Sequence, residues 1–259
     1  MTSSTRTNQV PGGSTQPVLL RLERAREHQA SARAIHDEFV QEAIGLTAEH
    51  DAESGWTSLH LTFSREFPGD QLAIILGDTL GSARSAFDYL AWQLVLQAGN
   101  TPSKQTNFPF ARTSQSWSSA VGSSLKGVAP IWIAQIDKLQ PYHAVDPQLH
   151  ELTVLDDMNN LIKHRLIPAT LHQVHQLNLS EVAVTPGVTY DFEHNWGVVS
   201  NGQWVFRARG SDGAQVDLLT NADVEFRVSF DDATGRTWNT EDILDWAEKS
   251  IQKFAPAFL

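Results

Sequence analysis

The chain has 259 residues, 41% hydrophobic and 9% aromatic, enough to build a sizeable core as one large domain or two small ones. A formal net charge of −11 excludes the broad basic face from which duplex DNA binding draws most of its affinity. With no cysteine there is no disulfide framework, no thiolate metal ligation and no cysteine nucleophile.

Residues 1–15 are rich in Ser, Thr, Gly and Pro and lack the apolar run of a secretory signal, so they read as a disordered tail. From Pro17 onward Val18, Leu22, Ala25, Ala32, Ile35 and Phe39 recur at helical spacings, which predicts a long amphipathic helix. Residues 56–63 alternate apolar and polar, with Leu59, Leu61 and Phe63 on one side, and predict one strand. After Pro68 and Gly69 a second long helix carries Leu72, Leu76, Leu80, Phe87 and Leu94 on one stripe and stops at Gly99-Asn100.

Pro102, Pro109, Pro130 and Pro141 break the next stretch into pieces, with short helices expected around Trp117 and from Ile131 to Leu139. Asp146-Pro147 supplies an N-cap and a first helical residue, and predicts a helix through Leu149, Leu152, Leu155, Met158 and Ile162 to about Arg165. Past Pro168 short β-like runs are separated by turn signals such as Pro186-Gly187 and Asn201-Gly202, and Val224 to Phe230 alternates strictly. Asn239 or Thr240 caps a last helix that turns Ile243, Trp246, Ala247, Ile251 and Phe254 inward.

The expected class is therefore α+β. A helical core spans 16–165 with its one strand near 56–63. A strand-rich region over 166–259, a small antiparallel sheet plus a C-terminal helix, packs on that core as one unit. The sequence leaves open whether this region is a separate domain or shares a sheet with 56–63. The longest strongly apolar run, Tyr89 to Leu96, is far short of the ~20 residues of a membrane span. A soluble cytoplasmic protein without a membrane partner is expected.

Two polar clusters interrupt the apolar helices. At 100° per residue Arg84 and Asp88 border the buried stripe of the second helix. Gly77, Gly81 and Ser85 run along the adjoining edge, leaving room for a close helix neighbour or for a groove. On the later helix Asp156, Asn160 and His164 follow at i, i+4 and i+8 beside Lys163 and Arg165. Charges beside a buried face must be paired or put to use.

In the structural reading Arg84 pairs with Asp88 and links the helices through Asp156 or Asn160. Lys163, His164 and Arg165 are then the positive end that suits a helix C-terminus. In the functional reading His164 moves a proton near neutrality, and Lys163 or Arg165 stabilises a developing anion.

The combination GDTLGSARSAFDYLAWQL, NFPF, LQPY and N-x-x-K-H-R resembles a group of uncharacterised bacterial proteins widespread in actinobacteria. That resemblance implies kinship and no activity. The run Asn159-Asn160-Leu161-Ile162-Lys163-His164 is also similar to the motif of the HEPN superfamily, helical bundles that include many metal-independent ribonucleases. There the motif is an arginine, a polar residue often Asn, three or four residues, then His. Asn160 and His164 fit it, while Asn159 stands where the arginine belongs, so Arg84 or Lys163 would have to supply the charge.

The resemblance implies a HEPN-like bundle and cleavage of single-stranded RNA by His164, with a homodimer doubling the site. A competing reading is a binding protein for a peptide, nucleotide or other small molecule, with Tyr89, Trp92, Trp132 and Tyr142 as candidate walls and Asp88, Asp156 and Arg165 as binding groups. His172 and His175 would point to opposite faces of a strand and make no metal pair, and no phosphate-loop or dinucleotide fingerprint is present. Neither metal nor cofactor is expected. The residues favour a structural or ligand-binding role, with the ribonuclease as the alternative.

Overall fold

A computed structural model describes residues 13–164, 169–178, 187–192, 198–212, 216–218, 223–231 and 236–258. Helix α1 (Gln16–Ala43) opens where the Thr15 carbonyl accepts the Val18 and Leu19 amides, each at 3.0 Å. Just before it, the Ser14 amide donates to Gln93 Oε1 at 2.8 Å, so residues 13–15 are held in place rather than belonging to a loose tail. The rest of the expected tail lies outside the described residues.

α1 runs directly into β1 (Ile44–His50), which turns back as β2 (Trp56–Phe63) with Leu46 opposite Leu61 and Ala48 opposite Leu59. The sequence pointed only to β2. The run IGLTAEH alternates weakly and contains poor strand formers, and it becomes a strand through cross-strand pairing that no local pattern records.

Helix α2 (Gly69–Gln97) ends as the sequence suggested. Gly99 takes φ +75° and the Asn100 amide reaches back to the Val95 carbonyl at 3.1 Å, a left-handed C-terminal cap. The two short helices in the proline-rich stretch are α3 (Ser114–Gly122), closed by a Thr113/Ser116 capping box, and α4 (Pro130–Asp137), with proline in its first turn.

The expected start of the next helix needs correction. Asp146 caps only a single 3₁₀ turn, Pro147–Leu149, and His150 then adopts an extended backbone. Helix α5 (Glu151–His164) starts afresh, with His150 Nδ1 accepting the Leu152 amide at 3.2 Å in the manner of an N-cap. The later strands are β3 (Ala169–Asn178), β4 (Val188–Phe192), β5 (Trp204–Gly210), β6 (Asp223–Asp231) and β7 (Thr237–Trp238), followed by α6 (Thr240–Gln252). The mixed α+β class is as expected. Among the described residues no helix is long and apolar enough to cross a membrane.

The chain divides into two compact units that do not follow its linear order. The sheet unit, 31–74 and 167–239, holds two antiparallel sheets in the orders β1-β2-β5-β4 and β3-β6-β7. Because β2 pairs with β5, the early strand and the late strands share a sheet. One face buries Leu59, Leu61, Val205, Phe206 and Ala208 against Phe39. On the other face the Arg207 guanidinium lies 4.6 Å from the ring centroid of Trp56 and 4.9 Å from that of Trp204.

The helical unit, 1–30, 75–166 and 240–259, buries Leu22, Ala25, Leu80, Phe87, Leu90, Leu152, Leu155 and Ile243. Within it Arg26 of α1 bridges to Asp245 and Glu248 of α6 at 2.5 and 2.7 Å.

Candidate functional site

Arg84 sits one turn before Asp88 on α2, and its guanidinium is used in every direction. Nη1 donates to Asp88 Oδ1 at 2.5 Å, Nε to Asp156 Oδ1 of α5 at 3.3 Å, and Nη2 to the Phe108 carbonyl at 3.5 Å. The guanidinium carbon lies 4.0 Å from the centroid of the Phe110 ring, a stacked cation–π contact. Asp88 Oδ1 also accepts the Phe108 amide at 3.0 Å. The i, i+4 pair and the link to Asp156 are those that the helical spacing anticipated.

This network joins the distinctive motifs of the sequence. Arg84 and Asp88 come from the long apolar helix, Phe108 and Phe110 from NFPF, and Asp156 from the helix that ends in the Lys-His run. LQPY completes it. The buried carboxamide of Gln140 accepts the Ala111 amide at 2.9 Å and donates to the Ile136 carbonyl at 3.1 Å, while the Tyr142 amide donates to the Ala111 carbonyl at 3.1 Å. The Tyr142 hydroxyl donates to Asp137, and desolvation together with that carboxylate pushes the phenol up to about 12. His150 shows the opposite displacement. Burial, with its ring edge-on to Trp246 at 5.5 Å, holds its pKa below the ordinary imidazole value, although Glu151 opposes that.

Beside the clamp opens a cleft of about 700 Å³ whose lining comes from α1, α2 and α5. The glycine stripe on α2 serves both purposes that its spacing allowed. A Cβ on Gly77 would stand 2.7 Å from Ile162 Cγ2, so there the helices touch. A Cβ on Gly81 would stand an ordinary 3.6 Å from Asn159 Oδ1, so one turn on the helices leave room. Arg84, Asp88 and Asp156 form part of one wall. Asn159, Asn160 and Lys163 of α5 line another, with Arg21, Arg24 and His28 of α1 across from α2.

Compared with known proteins, the chain matches no family model, no curated protein and no solved structure. Among the described residues no three carboxylate or imidazole groups converge as metal ligands.

Of the residues singled out in sequence, Arg84, Asp88, Asp156, Asn160 and Lys163 share this cleft. His164 is the last residue of α5, one position beyond Lys163, and its side chain lies outside the described residues, as does Arg165 altogether. The candidate aromatic walls lie elsewhere. Trp132 packs on Phe254, Tyr142 on His143, and Tyr89 receives Arg21 Nη2 at 3.1 Å, and none of these nor Trp92 lines the cleft. Arg21, Arg24 and His28 were missed. They follow at spacings of three and four on the polar face of α1, a stripe that looks like any solvated helix surface.

Proposed function

We propose that the cleft of the helical unit binds a small anion-bearing molecule, and that Arg84 is part of the frame rather than of the reacting chemistry. The observation that carries this reading is a division of labour. All three guanidinium nitrogens of Arg84 already have acceptors, whereas Lys163 and His28, which line the same cleft, have no partner among the described residues. The exposed Arg24–Glu27 pair at 2.8 Å is of the weak kind that an incoming anion can displace. A volume of about 700 Å³ falls in the range typical of small-molecule sites.

In this role Lys163 and Arg24 supply charge-assisted hydrogen bonds to the anion, and the carboxamide of Asn160 adds a neutral donor. Thermal unfolding of the chain across a panel of small anions tests it. The melting temperature should rise with anion concentration for the wild type and not for Lys163→Gln.

A second reading, a HEPN-like ribonuclease, draws support from Asn160 and Lys163 lining one cleft on the helix that ends at His164. In it His164 moves the proton of the 2′-hydroxyl or of the leaving group, and Lys163 in place of Arg84 stabilises the phosphorane charge. Cleavage of single-stranded RNA that His164→Ala abolishes would establish this reading. Intact RNA after prolonged incubation would end it.

A further inference from the structure

We infer that the ligand of this cleft is a small phosphorylated polyol, its phosphate held by Lys163 and Arg24 and its hydroxyls by Asn159; this rests on the anion-binding reading above. Asn159 is only 5% exposed, yet it lines the cleft and has no hydrogen-bond partner among the described residues. Most of the residue is buried, while its carboxamide still reaches the cleft and meets no described protein group there, so both of its hydrogen-bonding ends are open to an entering ligand. Its oxygen accepts and its nitrogen donates, which complements a hydroxyl that does both. Gly81 keeps the approach open beside Asn159 Oδ1.

The rest of the lining narrows the class. Asp78 and Ser82 of α2 offer further acceptors for hydroxyl protons. Among the described lining residues the only ring is the imidazole of His28, so a nucleobase or an aromatic acid meets no stacking wall. Arg84 on the helix of Asp78 is already engaged, and the cations proposed for the phosphate lie on other helices, Lys163 on α5 and Arg24 on α1. A molecule with one anionic end and a hydroxylated chain matches this polarity better than a bare anion, which brings no row of hydroxyls to Asp78, Ser82 and the acceptor oxygen of Asn159.

Isothermal titration calorimetry of the full chain with ribose 5-phosphate, glucose 6-phosphate, inorganic phosphate, glucose and AMP tests the inference. The sugar phosphates should bind at least about tenfold more tightly than inorganic phosphate, glucose or AMP. Asn159→Leu should weaken the sugar phosphates about tenfold and leave inorganic phosphate within about twofold. Lys163→Gln, a change at an exposed position that leaves the fold alone, should weaken every phosphate.

Inorganic phosphate or AMP binding as tightly as the sugar phosphates, or an Asn159→Leu chain that binds them unchanged, overturns the polyol inference while anion binding stands. Should Asn159→Leu fail to fold, the ranking of sugar phosphate against inorganic phosphate in the wild type decides alone. If no phosphate binds the wild type, the anion-binding reading falls with it.

Discussion

Replacing Arg84 by Met keeps a long, unbranched apolar stem and removes the guanidinium, so it isolates the clamp. Arg84 is 17% exposed, Asp156 26% and Asp88 39%, which places the triad between a buried pair and a surface one. Breaking a fully buried pair costs about 3–5 kcal/mol, and an exposed pair is worth about 0–1 kcal/mol. With two carboxylates left without their shared cation and the Phe110 ring deprived of it too, a cost of about 2–3 kcal/mol is expected.

At roughly 2–4 °C per kcal/mol for a chain of this size, the melting temperature should fall by roughly 4–12 °C in a calorimetric or circular-dichroism scan. Arg84→Lys keeps the charge but cannot serve three acceptors from one fork, and should recover about half of the loss. Adding Asp156→Asn to Arg84→Met should recover part of it too, because the stranded carboxylate is neutralised. A fall of less than about 1 °C for Arg84→Met would refute the clamp.

Gly77 and Gly81 of α2 should respond differently. Gly81→Ala gains about 0.8–1 kcal/mol of helix propensity at an ordinary van der Waals distance and should raise the melting temperature. Gly77→Ala drives a methyl to 2.7 Å from Ile162 Cγ2, so an overpacking penalty of about 1–3 kcal/mol cancels or exceeds the same gain. Gln140→Leu strands the Ala111 amide and should cost about 1–3 kcal/mol in urea unfolding.

For His150 the folded pKa lies below the unfolded value, so the unfolded chain takes the proton first. Stability should be full above about pH 6.5 and fall as the pH drops from there through the lower folded value. His150→Asn keeps a capping acceptor without a titrating ring, and should flatten the urea midpoint between pH 7 and 5.

Where spacing along one helix determines neighbours, the sequence was legible. The i, i+4 relation of Arg84 and Asp88 and the glycine stripe follow from 3.6 residues per turn, whereas of the two cross-helix partners that spacing offered, Asp156 and Asn160, only the fold selects Asp156. The role of Phe110 as a lid on Arg84 was not legible, nor that of Gln140 as a brace for Ala111, because both depend on how proline-broken segments fold back. β1 was hidden because its pairing, not its composition, makes it a strand. The α1 contribution to the cleft was hidden for a different reason. Arg21, Arg24 and His28 lie on a polar face that reads the same whether it meets solvent or a ligand. The break at His150 was masked by the strong Asp146-Pro147 start signal, which the structure spends on a single 3₁₀ turn.

The most direct test of the central claim is a titration of the ¹⁵N-labelled chain with ribose 5-phosphate, followed in amide and side-chain NH₂ signals. Saturable shifts confined to the Asn159 and Asn160 carboxamides and to the backbone around Ser82 and Lys163, absent in Lys163→Gln, are the predicted result. An unchanged spectrum at millimolar ligand, or shifts that Lys163→Gln leaves intact, would contradict the cleft as an anion-binding site.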